Sequence, residues 1–425
     1  MRYLLDGLYL FLFVTSFPLL ILKRKHRLGL RTRFTGAAPS VNHCVWFHGV
    51  SVGEIHLLRG VVGAFRQRYP GRTCVVSATT QTGFDEARKW FADCPVIRWP
   101  LDFSWAVERA LNAVRPELIV LAESELWPNF LLAARRRRIP VVAINVRMSP
   151  RSARRYERFR SLARHWLGMV SHFAVQTPEY AERLRNLGVP GHRISVSGSV
   201  KYDGVRTDRA NTLTKALREL FNISENDLVW VAGSTQAPEE EIVRSIFQRL
   251  RLDFPSLRLI LVPRQRERFD PVARELAQAG VSFVRRSEMT GPVTDRASVI
   301  LVDTFGELGA LWGLADVAFV GGSLDGQRGG QNMIEPAAFG AGVIFGPHVW
   351  NFRDSVQRLL DARAAIQVRD AAELETAGRR LLGDEMERRR LGDAARELVL
   401  QQQGATQRTF QILDQFIQSR SAAAA

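Results

Sequence analysis

Two successive sets of short, almost unbroken apolar runs, each run followed by an amphipathic stretch, constrain this chain more than any other feature. In the first set the runs fall at 44–48, 73–78, 94–98, 117–122, 140–144, 172–175 and 193–197. In the second they fall at 228–233, 257–263, 281–284, 298–302, 316–321, 342–346 and 364–368. Between them apolar residues recur at helical spacing, as at 55–69, 82–91, 103–114 and 178–187, then 238–252, 269–279, 306–315, 332–339 and 352–361. A strand that is apolar along its whole length needs cover on both faces, and a parallel sheet flanked by helices provides it. The pattern predicts two doubly wound, Rossmann-like α/β domains facing a cleft. The polar stretch over 201–225 reads as the linker, so the domains are expected at 35–200 and 226–425, the second closing with charged helices over 370–418. A chain of 425 residues is long enough for two cores.

Residues 1–34 stand apart. Tyr3 to Leu22 is an apolar run whose only charge is Asp6. At about 1.5 Å per residue it reaches roughly 30 Å, the thickness of a bilayer core. Lys23-Arg24-Lys25-His26-Arg27 follows, and only Arg2 precedes. This asymmetry predicts a single N-terminal anchor with the globular body on the cytoplasmic side. A cleaved signal would carry its positive charge first and a small-residue site after. Asp6 and Pro18 leave a second reading open, a helix lying along the membrane surface.

The net charge of +16 calls for an anionic partner: nucleic acid, a membrane surface or a phosphorylated substrate. Arg135 to Arg138 form a run, and Arg147, Arg151, Arg154, Arg155, Arg158, Arg160 and Arg164 follow. Aromatic residues are sparse among them and no nucleic-acid module is present. Beside an anchor, the arginines suit anionic lipid headgroups better. Cys44, Cys74 and Cys94 lack metal-ligand spacing and read as reduced thiols.

Chemistry concentrates where strands end. In His48-Gly49-Val50-Ser51-Val52-Gly53-Glu54 a small-residue turn carries one carboxylate from a strand end onto a helix start. Glu54 can serve there as a general base, or merely as an acid favoured by the first helical turn. Glu123-Ser124-Glu125-Leu126-Trp127-Pro128-Asn129 puts two more carboxylates after a strand, and Gly198-Ser199-Val200-Lys201-Tyr202-Asp203 brings a lysine to the end of the first half. In the second half Gly233-Ser234-Thr235, Pro263-Arg264 and Gly306-Glu307-Leu308 offer small residues and an arginine to a phosphate. The strongest local signal is Gly321-Gly322-Ser323 followed by Gly329-Gly330-Gln331-Asn332-Met333-Ile334-Glu335-Pro336, where Asn332 can cap the helix that carries Glu335. No Asp-x-Asp pair, Walker loop or Gly-x-Gly-x-x-Gly fingerprint occurs. Metal-clamped nucleotide sugars, kinases and nicotinamide enzymes lose ground.

Taken together, these segments resemble the bacterial Kdo (3-deoxy-D-manno-octulosonic acid) transferases of lipopolysaccharide assembly, over essentially the full chain. The resemblance implies a GT-B fold, CMP-Kdo as donor substrate with no cofactor, and the acylated, phosphorylated lipid A precursor as acceptor. It implies inversion at the transferred carbon without a metal, at the inner membrane. It casts Glu54 as the general base, and Glu123 and Lys201 as stabilisers of the transition state. It assigns CMP contacts to Pro263 and Arg264, to Gly306, Glu307 and Leu308, and to Asn332, Met333, Ile334 and Glu335. The alternatives are a GT-B transferase using another nucleotide sugar, and a membrane-anchored scaffold without catalysis.

Overall fold

The computed structural model describes Tyr3, residues 5–11, Thr15, residues 29–296 and residues 298–424. Among these residues the chain forms two compact units, Met1–Asp203 with Gln402–Ala425, and Gly204–Gln401. Each contains one parallel sheet of seven strands.

In unit 1 the strands are β1 (Cys44–Gly49), β2 (Thr73–Ala78), β3 (Val96–Arg98), β4 (Pro116–Ala122), β5 (Val141–Val146), β6 (His172–Val175) and β7 (Ile194–Val196). Their order is β3-β2-β1-β4-β5-β6-β7, so the winding reverses between β1 and β4. Both faces of β1 are buried, Trp46 against Trp99 and Phe130 and Phe47 against Phe65, which explains its unbroken apolar sequence. In unit 2 the strands are β8 (Leu228–Thr235), β9 (Leu257–Pro263), β10 (Phe283–Arg285), β11 (Val299–Leu301), β12 (Val317–Val320), β13 (Gly342–Phe345) and β14 (Ile366–Gln367). The order β10-β11-β9-β8-β12-β13-β14 reverses between β8 and β12. All fourteen expected strands are present, with ends shifted by a few residues.

The domain limits need correction. The predicted linker 201–225 is divided: Lys201 to Asp203 belong to unit 1, and helix Thr212–Leu220 packs in unit 2, where the Thr214 hydroxyl donates to the carbonyl of Ala310 at 2.9 Å. The predicted C-terminal segment is three helices, Ala371–Gly383, Glu385–Gln402 and Ala405–Ala424, and the last returns to unit 1. Leu413 and Ile417 lie in the same core as Ile55 and Val61. The Asp203 carboxylate starts this helix by accepting the N–H groups of Gly404, at 2.7 Å, and Thr406. The sequence marked the segment as charged helices but carried no address. Replacing Asp203 by Ala leaves those two donors without their acceptor. Thermal unfolding should register a loss of about 1–2 kcal/mol; an unchanged midpoint would remove Asp203 from this role.

Among the described residues no helix is long and apolar enough to cross a membrane. Most of the anchor expected over Tyr3–Leu22 lies outside the described residues. Residues 5–11 are helical, and Asp6 is buried on unit 1. Its carboxylate accepts the Ser104 N–H at 2.8 Å, the Ser104 hydroxyl at 2.5 Å and the Asn129 amide at 3.0 Å. It thereby supplies the cap that helix Ser104–Val114 lacks from its own N-terminal flank. The one charge in the apolar run has a structural use.

Candidate active site

In unit 1 the expected catalytic carboxylates lie at the carboxyl ends of β1 and β4, the two strands flanking the reversal. That is where open α/β sheets bind ligands. Glu54 sits in the first turn of helix Val52–Arg68. One of its oxygens accepts the Val50 N–H at 2.7 Å, and the other accepts the Ser51 hydroxyl at 3.1 Å. The turn is pinned from outside: the Thr80 N–H and hydroxyl both donate to the Val50 carbonyl, at 3.0 and 2.9 Å. A Cβ on Gly49 would stand 3.0 Å from that of Glu54, so only glycine leaves the carboxylate room to fold back. The acid that finishes the helix start is therefore also fixed in direction. Partial burial, with the charges of Glu123 and Glu125 adding to it, pushes its carboxyl up to about 7 from the ordinary 4.5, and the Val50 N–H pulls the other way. A base poised near neutrality is what proton abstraction from a hydroxyl needs.

Glu123 has φ +62, a left-handed conformation that costs a non-glycine residue about 1–3 kcal/mol. Arg147 holds both its carboxylate oxygens, at 3.0 and 2.8 Å. Glu125 instead accepts the Trp127 indole N–H at 2.9 Å. Lys201 is exposed on the short helical turn Val200–Tyr202, which contacts helix Val52–Arg68. That turn is tied to β5 by Asn145, a fully buried residue that accepts the Val200 N–H at 3.2 Å and is itself at φ +54. Sequence reading missed Asn145; the signal was a polar residue inside a buried strand. His48 is buried and stacks on Trp99 at 3.8 Å, with Nδ1 3.0 Å from the Ser77 hydroxyl. Burial lowers its imidazole to about 3, so it packs as a neutral ring.

In unit 2 the expected nucleotide segments also gather at carboxyl ends of strands. Arg264 follows β9, donates its N–H to the Thr235 carbonyl at 2.9 Å and leaves its side chain exposed, while Pro263 is buried. Its charge reaches Glu335, a carboxyl raised by burial and steadied by the Asn332 amide at 2.9 Å. Asn332 also accepts the Ile334 N–H at 3.1 Å, from one position before Met333, which holds the N-cap place that the sequence offered to Asn332, and Met333 and Ile334 are buried. Gly306 takes φ +90, and the side chain of Glu307 is engaged by Arg286 at 2.8 Å and by the Thr304 hydroxyl. This segment therefore presents its backbone. Leu308 and Trp312 lean on Gly233, where a Cβ would come within 2.5 Å of the indole.

The Gly321-Gly322-Ser323 turn behaves differently from a phosphate loop. Its convergent N–H groups are already filled by Glu239, which is fully buried at the β8–β12 reversal. One oxygen of Glu239 accepts from Gln236 and Gly322, at 3.0 and 2.7 Å, and the other from Ser323 and Leu324, at 2.9 and 3.0 Å. Burial pushes this carboxyl up while the four donors pull back toward the charged form. A carboxylate of the protein therefore occupies this anion nest. Glu239 escaped sequence reading because Glu239-Glu240-Glu241 reads as ordinary dipole complement at a helix start.

The comparisons with known proteins bear on this geometry. The sequence model for the family described as 3-deoxy-D-manno-octulosonic-acid transferase (kdotransferase) matches residues 23–204. A 3-deoxy-D-manno-octulosonic acid transferase of Haemophilus influenzae is 34% identical over 397 residues, 93% of this chain and 92% of the relative. The chain belongs to the Kdo transferase family. The Bordetella pertussis transferase of the same name is 32% identical over 92% of this chain and 90% of its own length. Among solved structures, MurG of Acinetobacter baumannii covers 88% of this chain and 99% of that chain, with a TM-score of 0.55 at 15% identity, a likeness of fold alone. It supports the GT-B class for the two parallel-sheet units. As a Kdo transferase the chain is a glycosyltransferase, which removes the non-catalytic scaffold as a reading.

Proposed function

We propose that this Kdo transferase moves Kdo from CMP-Kdo to the lipid A precursor, by an inverting displacement without metal or other cofactor, on the cytoplasmic face of the inner membrane. The observation that carries the reading is Glu54, a carboxylate at the β1–β4 reversal with its pKa raised to about 7. In this mechanism Glu54 takes the proton of the acceptor hydroxyl as that oxygen bonds to the anomeric carbon. The bond from that carbon to the CMP phosphate oxygen breaks, and CMP leaves. Positioned base help of this kind contributes roughly 10²–10⁴-fold. Glu123, fixed by Arg147, and Lys201 meet the charges that develop in the transition state. Arg264, Asn332 and the backbone at Gly306 hold the CMP moiety in unit 2. The lack of any Asp-x-Asp pair supports a metal-free reaction, since a side-chain base then carries the activation. Hydrogen exchange tests the donor: CMP protects residues within 300–340 and UDP does not. Protection by UDP alone would point to another nucleotide sugar.

The acceptor is a lipid, and unit 1 carries a face suited to its surroundings. Helices Pro150–Arg158 and Arg160–Leu167 expose Arg151, Arg154, Arg155 and Arg158, with Phe159 62% and Leu162 53% exposed beside them. Not every arginine of this stretch is available: Arg136 and Arg137 pair with Glu108, and Arg147 serves Glu123. At about 1 kcal/mol per basic residue near an anionic surface, replacing Arg154 and Arg158 by Ala should weaken binding to vesicles containing phosphatidylglycerol about 30-fold. CMP binding stays unchanged. Equal vesicle binding by the variant would move the lipid contact off this face.

A further inference from the structure

Away from the residues that serve Kdo transfer, unit 1 holds a pair of thiols at the edge of its sheet. Cys74 lies in β2 and Cys94 in the turn before β3. The parallel register pairs Val76 with Val96, and carried two residues back it sets Cys74 opposite Cys94. Neighbouring strands run about 4.8 Å apart, inside the roughly 4.4–6.8 Å between Cα atoms that a disulfide spans. The two Sγ atoms are 2.6 Å apart and both cysteines are free. Cys74 is buried and Cys94 is partly exposed. Both line an open cleft of 530 Å³ together with Arg66, Arg72 and Asp93. Arg66 pairs with Asp93, next to Cys94 in sequence. Cys44 has a different setting: it is buried, its thiol donates to the Val114 carbonyl at 3.3 Å, and burial pushes it up to about 12.

We propose that Cys74 and Cys94 are a reversible dithiol–disulfide site that exchanges with small disulfides of the glutathione type. The pair is arranged to supply the reacting thiolate. The two thiols share a hydrogen bond, and that bond with the charge of Arg66 holds Cys74 below the ordinary thiol range. The thiolate of the pair attacks one sulfur of the small disulfide, forming a mixed disulfide and releasing one small thiolate. The remaining cysteine gives up its proton and attacks the protein sulfur of the mixed disulfide. The Cys74–Cys94 bond forms and the second small thiolate leaves. Two protein thiols are oxidised, one small disulfide is reduced to two thiols, and the two protons end on those thiols. The site lies at the opposite ends of the strands from Glu54 and Glu123, so the bond ties β2 to β3 without touching the catalytic turns.

The test incubates the full-length protein with glutathione disulfide at pH 8, quenches with iodoacetamide and digests it without reduction. Mass spectrometry should find a peptide pair linked through Cys74 and Cys94 as the main product, released by dithiothreitol, with Cys44 alkylated only after denaturation. A Cys94→Ser variant should form no link and keep the Kdo transfer rate. Recovery of Cys74 and Cys94 in alkylated form, or glutathione retained on either in the wild type, or a link through Cys44, would each overturn the proposal.

Discussion

Replacing Glu54 by Gln lowers kcat for Kdo transfer by about 10²–10⁴-fold and leaves CMP binding intact. Gln keeps the size of the side chain and an oxygen able to accept the Val50 N–H, so the turn retains its shape while the proton acceptor is lost. Stability moves the other way. The carboxyl of Glu54 is raised from 4.5 to about 7, so its protonated form favours the fold. That contribution is full below pH 4.5 and is lost as pH rises through 7. At pH 8 the wild type therefore carries a partly buried charge that Glu54→Gln does not, and the variant should melt no lower. The same value predicts the pH profile. Transfer by the wild type rises through pH 7 as Glu54 ionises, and the residual rate of the variant lacks that limb. A variant with unchanged kcat, or one that retains the limb at pH 7, would take the base role from Glu54.

Replacing Glu239 by Ala empties the nest at the β8–β12 reversal. Four backbone N–H groups, those of Gln236, Gly322, Ser323 and Leu324, lose one buried acceptor. Unsatisfied buried donors cost about 1–3 kcal/mol each, and water entering the space recovers part of it, so a net loss of about 3 kcal/mol is expected in urea unfolding. The loop over 322–330 and the Asn332–Glu335 segment are anchored through this turn; the Gly330 N–H donates to the Gly322 carbonyl at 2.7 Å. Steady-state kinetics should show KM for CMP-Kdo raised at least tenfold with a smaller change in kcat. Glu239→Gln should fall between, because its amide end meets two donors with a third. A variant with wild-type KM would make the nest a purely structural feature.

The sheets were legible because their central strands are buried on both sides and largely apolar, as in Leu118 to Ala122. Glu123 was legible because a carboxylate directly after such a run has few places to go other than the ligand end of the sheet, whereas Glu54 lies beyond a turn, in the first turn of the next helix, where spacing alone left it as base or as helix-start acid. Tertiary destinations were hidden. Nothing in the local pattern of Ala405–Ala424 says that it returns to unit 1, since that depends on the Asp203 carboxylate and the surface of helix Val52–Arg68. Glu307 was assigned to ligand by resemblance, and its side chain belongs to Arg286, a partner twenty-one residues away. The two-glycine turn was read as backbone open to a ligand because Glu239, eighty-three residues before Gly322, has no pattern that reveals its aim. Short-range spacing fixes which residues stand at strand ends; it leaves open which of their N–H groups are already taken.

The most direct measurement of the central claim is the mass of the product made by the purified full-length protein from CMP-Kdo and the lipid A precursor. The account predicts that the acceptor gains the mass of Kdo, that CMP is released in equal amount, that the new linkage is inverted relative to the donor, and that EDTA leaves the rate unchanged. An acceptor of unchanged mass, or a reaction that stops in EDTA and returns with added divalent metal, would contradict it.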